Sequence, residues 1–375
     1  MTQKEYLTRE ERAQRLLDNP NTKILRVNDK HFQMKSLATN RVYDIYFTNS
    51  GFVCNCPDAK FRKVTCKHAH AISISLRLRE EARQRSRVTI NPISTTECTF
   101  CHGVNLKKYG IRKNKSGDIQ RFLCVDCTKT FSVNLGFEKM RSTPQTITSA
   151  LQLYFTGESL RGIQKFLRLQ GKQVSHKTIY KWVKKYTKLM QTYLDNIIPQ
   201  VGDTWRADEV YVKVKGDPKY LFALMDDETR FWIAQEVADS KFKHDARNLL
   251  RMGKEKMQTK PNVFVTDGLQ AYNDAFKKEY GAVKKGSPIH VRHISLHGDR
   301  NNNKMERLNG EFRDREKIVR GVKSKESPIF DGYQIYHNYI RPHMSLDGKT
   351  PAEACGIQIN GDNKWITVIQ NAKKG

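Results

Sequence analysis

The stretch TWRADEVYVKV, residues 204–214, decides how the rest of the chain reads. In an extended strand successive side chains alternate between faces. Asp208, Val210, Val212 and Val214 therefore share one face, and Glu209, Tyr211, Lys213 and Lys215 share the other. The apolar face thus carries one carboxylate. An unpaired buried charge is expensive, so Asp208 is expected to be paired or to hold a cation. Glu209 reads as an ordinary solvent-side residue.

Downstream, KGDPKYLFALMDDETRFWIAQEVADS reads as two further strands with turns at GDP and DDET, which places Asp217, Asp226 and Asp227 in turns. SKFKHDARNLLRMGKEKM reads as a helix, and NVFVTDG as a short buried strand with Asp267 at its carboxyl end. Ligands of open α/β sheets gather at that end, although the position equally suits a helix N-cap. In NNNKMERLNGEFRDREK, Asn301 to Asn303 supply a cap for a helix with Glu306 near its start. Arg313 lies seven residues on, on nearly the same face, and Arg320 repeats the interval. A metal-binding carboxylate followed by phosphate-binding guanidinium groups makes a DNA-facing stripe.

Charge points the same way. Lys and Arg number 67 and Asp and Glu 39, so 67 − 39 gives a formal net charge of +28. Such an excess favours a polyanionic partner, because neutralised phosphates release condensed counterions. The opening MTQKEYLTREERAQRLLDNP is charged throughout and lacks the apolar core of a secretory signal. Nothing approaches the roughly 20 consecutive apolar residues of a membrane span. An intracellular, membrane-free protein is the expectation, and there paired cysteines serve metals more often than disulfides.

Upstream, KILRV, HFQMKS and RVYDIYF read as a β-meander within residues 22–56. Cys54, Cys56, Cys66 and His68 follow, the last opening the helical stretch KHAHAISISLRLREEARQR. Three thiolates and one imidazole, four ligands in all, close a tetrahedral zinc site; His70 is a weaker substitute for His68. Residues 86–95 read as a linker. Two Cys-x-x-Cys knuckles, Cys98/Cys101 and Cys124/Cys127, then flank a basic, β-rich spacer, a strong zinc-ribbon signal. Residues 142–190 read as three helices. Thr143 caps the first and Pro144 starts it, with Ile147, Leu151 and Tyr154 inward. Leu160, Ile163 and Leu167 mark the second, which Gly171 ends. Ser175 caps the third, whose Ile179, Val183 and Tyr186 face inward while Lys177, Lys181 and Lys184 face out, in keeping with helix-turn-helix logic.

These strings resemble known families. The first cysteine set resembles the SWIM-type zinc finger at all four ligand positions. The ribbon and VSHKTIYKWVKKY resemble the zinc ribbon and helix-turn-helix of prokaryotic insertion-sequence transposases. WRADEVYVKVKG, VFVTDG and NNNKMERLNGEFRDREK resemble the Asp-Asp-Glu segments of those transposases and of retroviral integrases. HNYIRPHMSLDGKTPAEACGI resembles their closing segment, with Thr350, Pro351 and Glu353 as a capping box for a last helix. The 38 residues between Asp267 and Glu306 exceed the usual mid-thirties interval, which leaves Asp299 as a competing acid.

The resemblance implies a multidomain chain: a SWIM-type finger over 22–85, a zinc ribbon over 96–140 and an all-α helix-turn-helix over 142–195. A ribonuclease H-like α/β catalytic domain, a mixed sheet with flanking helices, follows over 200–356. It implies that Asp208, Asp267 and Glu306 bind two Mg²⁺ or Mn²⁺ ions, and that two Zn²⁺ ions are structural. The activity implied is cleavage at the terminal inverted repeats of an insertion sequence and strand transfer into target DNA. DNA would be read through Ser175, His176, Lys177, Lys181 and Lys184, with Arg313 and Arg320 on phosphates. A homodimer or higher oligomer in the prokaryotic cytoplasm, at the nucleoid, completes the expectation. A non-catalytic DNA-binding regulator and a nuclease of the same fold are the rival readings. Residues 1–21 and 357–375 carry no functional signal.

Overall fold

The computed structural model describes residues 7–19, 21–27, 29–36, 41–93, 95–114, 117–281, 288–292, 302–319 and 322–374. Its centre is a five-stranded mixed sheet built on TWRADEVYVKV. The strands are β1 (Thr204–Val214), β2 (Asp217–Asp226), β3 (Trp232–Ala238), β4 (Val263–Thr266) and β5 (Ile289–Arg292). They lie in the order β3-β2-β1-β4-β5. The first three pair antiparallel, and β4 and β5 run parallel to β1. Lys215 (φ 57°) and Gly216 (φ 94°) both take positive φ between paired Val214 and Asp217. That is the two-residue primed turn whose twist suits a tight hairpin. The turn therefore falls one residue before GDP, and Asp217 and Pro218 begin β2.

Helices α1 (Lys243–Met257) and α2 (Gln270–Tyr280) pack on each other beside the sheet, and α3 (Asn303–Val319) lies against β1. β1 is central, so its first half is buried on both faces. Period-2 alternation survives only from Tyr211 onward, where Tyr211 and Lys213 are exposed.

Helices spanning Pro144–Thr156, Leu160–Leu169 and His176–Leu194 precede the sheet. Thr143, Ser159 and Ser175 cap them, each side-chain oxygen accepting a backbone N–H three residues on; these bonds satisfy donors the helix leaves open. Gly171, at φ 72°, ends the second. Their inward residues do not form a separate core: Ile147, Leu151, Ile163, Val183 and Tyr186 belong to the same buried cluster as the sheet. Gly332, on the helix Pro328–Ile335, marks a close approach between the two parts. A Cβ there would lie 2.3 Å from Cζ of Phe155.

The N-terminal part has its own small cores. Strands Ile24–Arg26, His31–Lys35, Val42–Thr48 and Gly51–Cys54 form an antiparallel meander, followed by the helix Lys67–Arg85. Phe32, Met34, Ile45 and Ile72 are buried in it. The helix Arg9–Asp18, closed by a Thr8–Glu11 capping box, packs on Lys67–Arg85. The second module is a three-stranded antiparallel ribbon (Leu106–Asn114, Gly117–Cys124, Thr130–Ser132) whose buried hydrophobic centre, among the described residues, is Cys98, Cys124 and Phe131.

Two stretches differ from their sequence reading. The linker contains a strand, Val88–Ile90, paired parallel with Ile357–Ile359. The capping box at Thr350 and Glu353 is present, but its helix is only Pro351–Ala354 and is not the last. The helix Lys364–Lys374 follows and packs on His176–Leu194, with Trp365 stacked on Phe155. Among the described residues no helix is long and apolar enough to cross a membrane.

Candidate functional site

Three carboxylates meet where β1 and β4 lie side by side. One oxygen each from Asp208, Glu209 and Asp267 falls within 4.8 Å of the others. Asp208 and Asp267 are brought together because β4 pairs with β1, Val265 opposite Arg206, two residues short of each acid. Asp208 Oδ2 accepts a hydrogen bond from Asn309 Nδ2 (2.9 Å), and Oδ1 accepts from the Glu209 N–H (2.9 Å). Asp267 Oδ1 accepts the Leu269 N–H (3.0 Å). The same side chain thus shapes the turn into α2 and stands in the acidic group. Helix-start and ligand readings describe one residue here, not two alternatives.

Glu209 is not solvent-side as the alternation suggested. It is 9% exposed, its Oε1 lies 2.8 Å from Lys241 Nζ, and its Oε2 accepts from the Tyr272 hydroxyl (3.3 Å). Residues between β3 and α1, and α2 itself, cover the face expected to be open. Burial, then Glu209 and Asp267, push the Asp208 carboxyl up to about 7, and Glu306 adds to the push. Removal from water and like charges both disfavour ionisation, and a bound cation reverses that preference. Lys241 thus neutralises Glu209, while Asp208 and Asp267 have no basic partner among the described residues, the donor chemistry a hard divalent cation takes.

Glu306 sits in the first turn of α3 and is exposed. It is close enough to act on Asp208 but lies outside the 4.8 Å group. Asn309, one turn on, is what α3 inserts towards Asp208. Its i+3 spacing from Glu306 was a signal available in the sequence. Lys241 and Tyr272 had no such signal. Arg313 is exposed on α3. Arg320 and Asp299 lie outside the described residues, as does Asn301.

Asp226, the last residue of β2, and Asp227, in the turn after it, are fully buried. Asp226 Oδ2 accepts from the Thr229 N–H (2.8 Å). Asp227 pairs with Arg206 and with Lys304 (2.8 Å). Burial raises the Asp227 carboxyl, but Arg206 and then Lys304 more than offset it and hold it well below the usual carboxylate range. Lys304 also reaches Asp29 (2.9 Å), which pairs with Arg230 (2.9 Å). Arg26 and Arg83 meet Glu228 at 3.2 and 2.7 Å. The N-terminal module is thereby ion-paired to the β2–β3 turn and, through Lys304, to the turn carrying Glu306.

The sulfur clusters are equally convergent. Ligand atoms of Cys54, Cys56, Cys66 and His68 lie within 4.8 Å of one another, and so do those of Cys98, Cys101, Cys124 and Cys127. Cys54 and Cys66 Sγ stand 3.9 and 3.8 Å from His68 Nδ1. Cys98–Cys127 and Cys101–Cys124 are 3.6 and 3.5 Å apart. A tetrahedron with metal–sulfur bonds of about 2.3 Å has edges of about 3.8 Å, so both donor sets fit one ion each. His70 instead faces Glu10 (3.8 Å).

On the third helix Ser175, Lys177, Lys181 and Lys184 are exposed and His176 is half-buried. Lys181 and Lys184 line one groove with Lys185 and Lys188.

Residues 202–343 match the model of a family described as a DDE domain, DDE_Tnp_IS240. Among curated proteins, the chain is similar to the transposase for insertion sequence-like element IS431mec of Staphylococcus aureus. Identity is 25% over 206 residues, 54% of this chain and 88% of that protein. It is also similar to the transposase for insertion sequence element IS257 in transposon Tn4003 of Staphylococcus aureus. Identity there is 24% over 229 residues, 60% of this chain and 98% of the relative. The HTLV-2 integrase catalytic core domain in complex with magnesium aligns at 15% identity over 42% of this chain and 98% of that one. Its TM-score of 0.32 is too low to argue from.

Proposed function

We propose that this chain is a DNA transposase that binds the terminal inverted repeats of an insertion sequence, cuts there and transfers the strand into target DNA. The observation that carries this reading is the meeting of Asp208 and Asp267 inside the segment that matches a DDE domain. The β3-β2-β1-β4-β5 sheet with α3 against β1 is read as ribonuclease H-like. Asp208 and Asp267, with Glu306 at the rim, are the residues that hold two Mg²⁺ or Mn²⁺ ions. Bound there, the two ions supply activation of the attacking oxygen and stabilisation of the leaving one. Asn309 fixes the Asp208 carboxylate, and Lys241 and Tyr272 hold Glu209 against the pair it would otherwise repel.

The two sulfur clusters bind structural Zn²⁺, and the third helix enters the DNA groove through Ser175, His176, Lys177, Lys181 and Lys184. Arg313 and Arg320 meet backbone phosphates. The SWIM-type, ribbon, helix-turn-helix and catalytic segments are read over 22–85, 96–140, 142–195 and 200–356, with the helix Arg9–Asp18 packed on the first and the helical segment and the helix Lys364–Lys374 sharing the catalytic core. Coordinate cutting of two ends calls for at least a dimer.

The test is incubation of the purified chain with labelled terminal repeats, Mg²⁺ and a plasmid target. Joined product supports the transposase. Cut ends alone indicate a nuclease, and a mobility shift without chemistry a regulator.

A further inference from the structure

Arg315 is the one large cation in α3 that the fold buries and leaves unspent. It is 2% exposed, and among the described residues none of its three guanidinium nitrogens has a hydrogen-bond partner. Its Cζ lies 4.2 Å from the Tyr154 ring centroid, so the group rests on an aromatic face. Above it opens a cleft of about 810 Å³ between the helical segment and the end of α3. Arg161, Lys317 and Lys323 line the cleft, with Ser159 and His176 beside them, and among the described residues no acidic side chain does. Lys317 also pairs with Asp314 (3.0 Å); Arg161 and Lys323 have no acidic partner among the described residues. The nearby Glu158 is turned to the Ser159 N–H (3.2 Å).

A buried guanidinium that rests on Tyr154 with no carboxylate partner among the described residues, in a cleft walled by cations, is complementary to an oxyanion. We infer that the cleft is a phosphate site, in which Arg315, Arg161 and Lys323 grip one phosphodiester of the DNA strand that occupies the acidic pocket. This rests on the transposase reading and adds the strand's path. Glu306 and Arg315 are nine residues apart on one helix, about 13.5 Å along its axis and about half a turn around it. A strand held at both therefore crosses α3, and at about 3.4 Å of rise per nucleotide the gripped phosphate lies at least about four nucleotides from the scissile one. The strand would then pass over α3 from the carboxylates to the foot of the third helix.

The experiment measures binding of the full chain to labelled terminal-repeat duplex across a salt series, with single methylphosphonates scanned around the cleavage position. In the wild type, one neutral linkage at least about four nucleotides from that position should weaken binding about tenfold. Arg315→Gln should lose the same factor, lower the slope of log affinity against log salt by about 0.9, and show no further loss with that linkage. Arg315→Gln is buried, so the surface double variant Arg161→Ala/Lys323→Ala is measured in parallel and should likewise mask the linkage effect. Normal binding by the wild type with no sensitive phosphate in that region overturns this proposal alone. So does a folded Arg315→Gln, or a double variant, whose slope and linkage sensitivity match the wild type. A wild-type chain that binds no duplex overturns the transposase reading, and this proposal with it.

Discussion

The acidic pocket and the zinc ribbon both gather ligands for a metal, but they are held by opposite means. The ribbon's ligands come from one short stretch, and its buried centre is two of those cysteines and Phe131. The acidic pocket draws on residues about 60 apart in sequence, placed by a sheet whose core extends through the helical segment and the C-terminal helices. One site is expected to need its ion in order to fold. The other folds first and accepts its ions afterwards, paying for clustered carboxylates with packing elsewhere. A metal centre can therefore be the cause of a fold in one part of a chain and its product in another.

The largest expected effect tests the first half of that contrast. A strong chelator, or Cys124→Ser, should unfold the ribbon, since a structural zinc site supplies on the order of 10 kcal/mol to so small a unit. Amide hydrogen exchange read segment by segment should show protection lost over residues 98–132 and kept over β1–β3. A ribbon that stays protected without metal would break the comparison.

Next comes Asp208→Asn, which should lower strand cleavage about 10³-fold or more, roughly 4 kcal/mol in the barrier, while the thermal melt holds or rises. Cleavage kinetics beside a melting curve check both halves. A melt that falls instead would make the carboxylate structural.

Lys304→Met should destabilise the sheet by a few kcal/mol, towards the lower end of the roughly 3–5 expected for a broken buried pair, because Asp227 keeps Arg206. Urea unfolding measures it. An unchanged midpoint would show that the contact between module and sheet is incidental.

The smallest effect concerns acid. His337 is buried, and its Nε2 lies 2.9 Å from the Arg230 carbonyl, to which it donates. Burial pushes its pKa down to about 3, below the ordinary 6.5. A folded pKa below the unfolded one means the stabilisation is complete above about pH 6.5 and is lost as pH falls towards 3. By pH 5 it should cost about 2 kcal/mol. Melts at pH 7 and 5, in wild type and His337→Asn, check this, and the difference should persist in chelated protein because the histidine belongs to the sheet region.

What the sequence made legible follows the same division. Cysteine spacing exposed both sulfur clusters because their ligands are close along the chain. Asp208 and Asp267 were legible because each ends or interrupts an apolar run. Glu209 was misread because alternation describes a strand with one wet face, and β1 is covered on both sides where Lys241 and Tyr272 reach it. Asp226 and Asp227 were placed in a turn, and turn composition does not report their burial: Arg206 and Lys304, which pair with Asp227, lie on other elements, and only Thr229 belongs to the same turn. Arg315 escaped notice because a seven-residue interval drew attention to Arg313, while the packing of Tyr154 decides which guanidinium is buried.

The pairing of Val88–Ile90 with Ile357–Ile359 has a consequence for biosynthesis. The two strands are 357 − 88 = 269 positions apart, so the earlier one emerges from the ribosome long before its mate exists. Its edge stays open while the entire sheet is translated, a window in which a neighbouring nascent chain offers the same three residues. Closure of this pair is a late, slow, long-range event, and crowding of ribosomes on one message is where misassembly of this protein should begin.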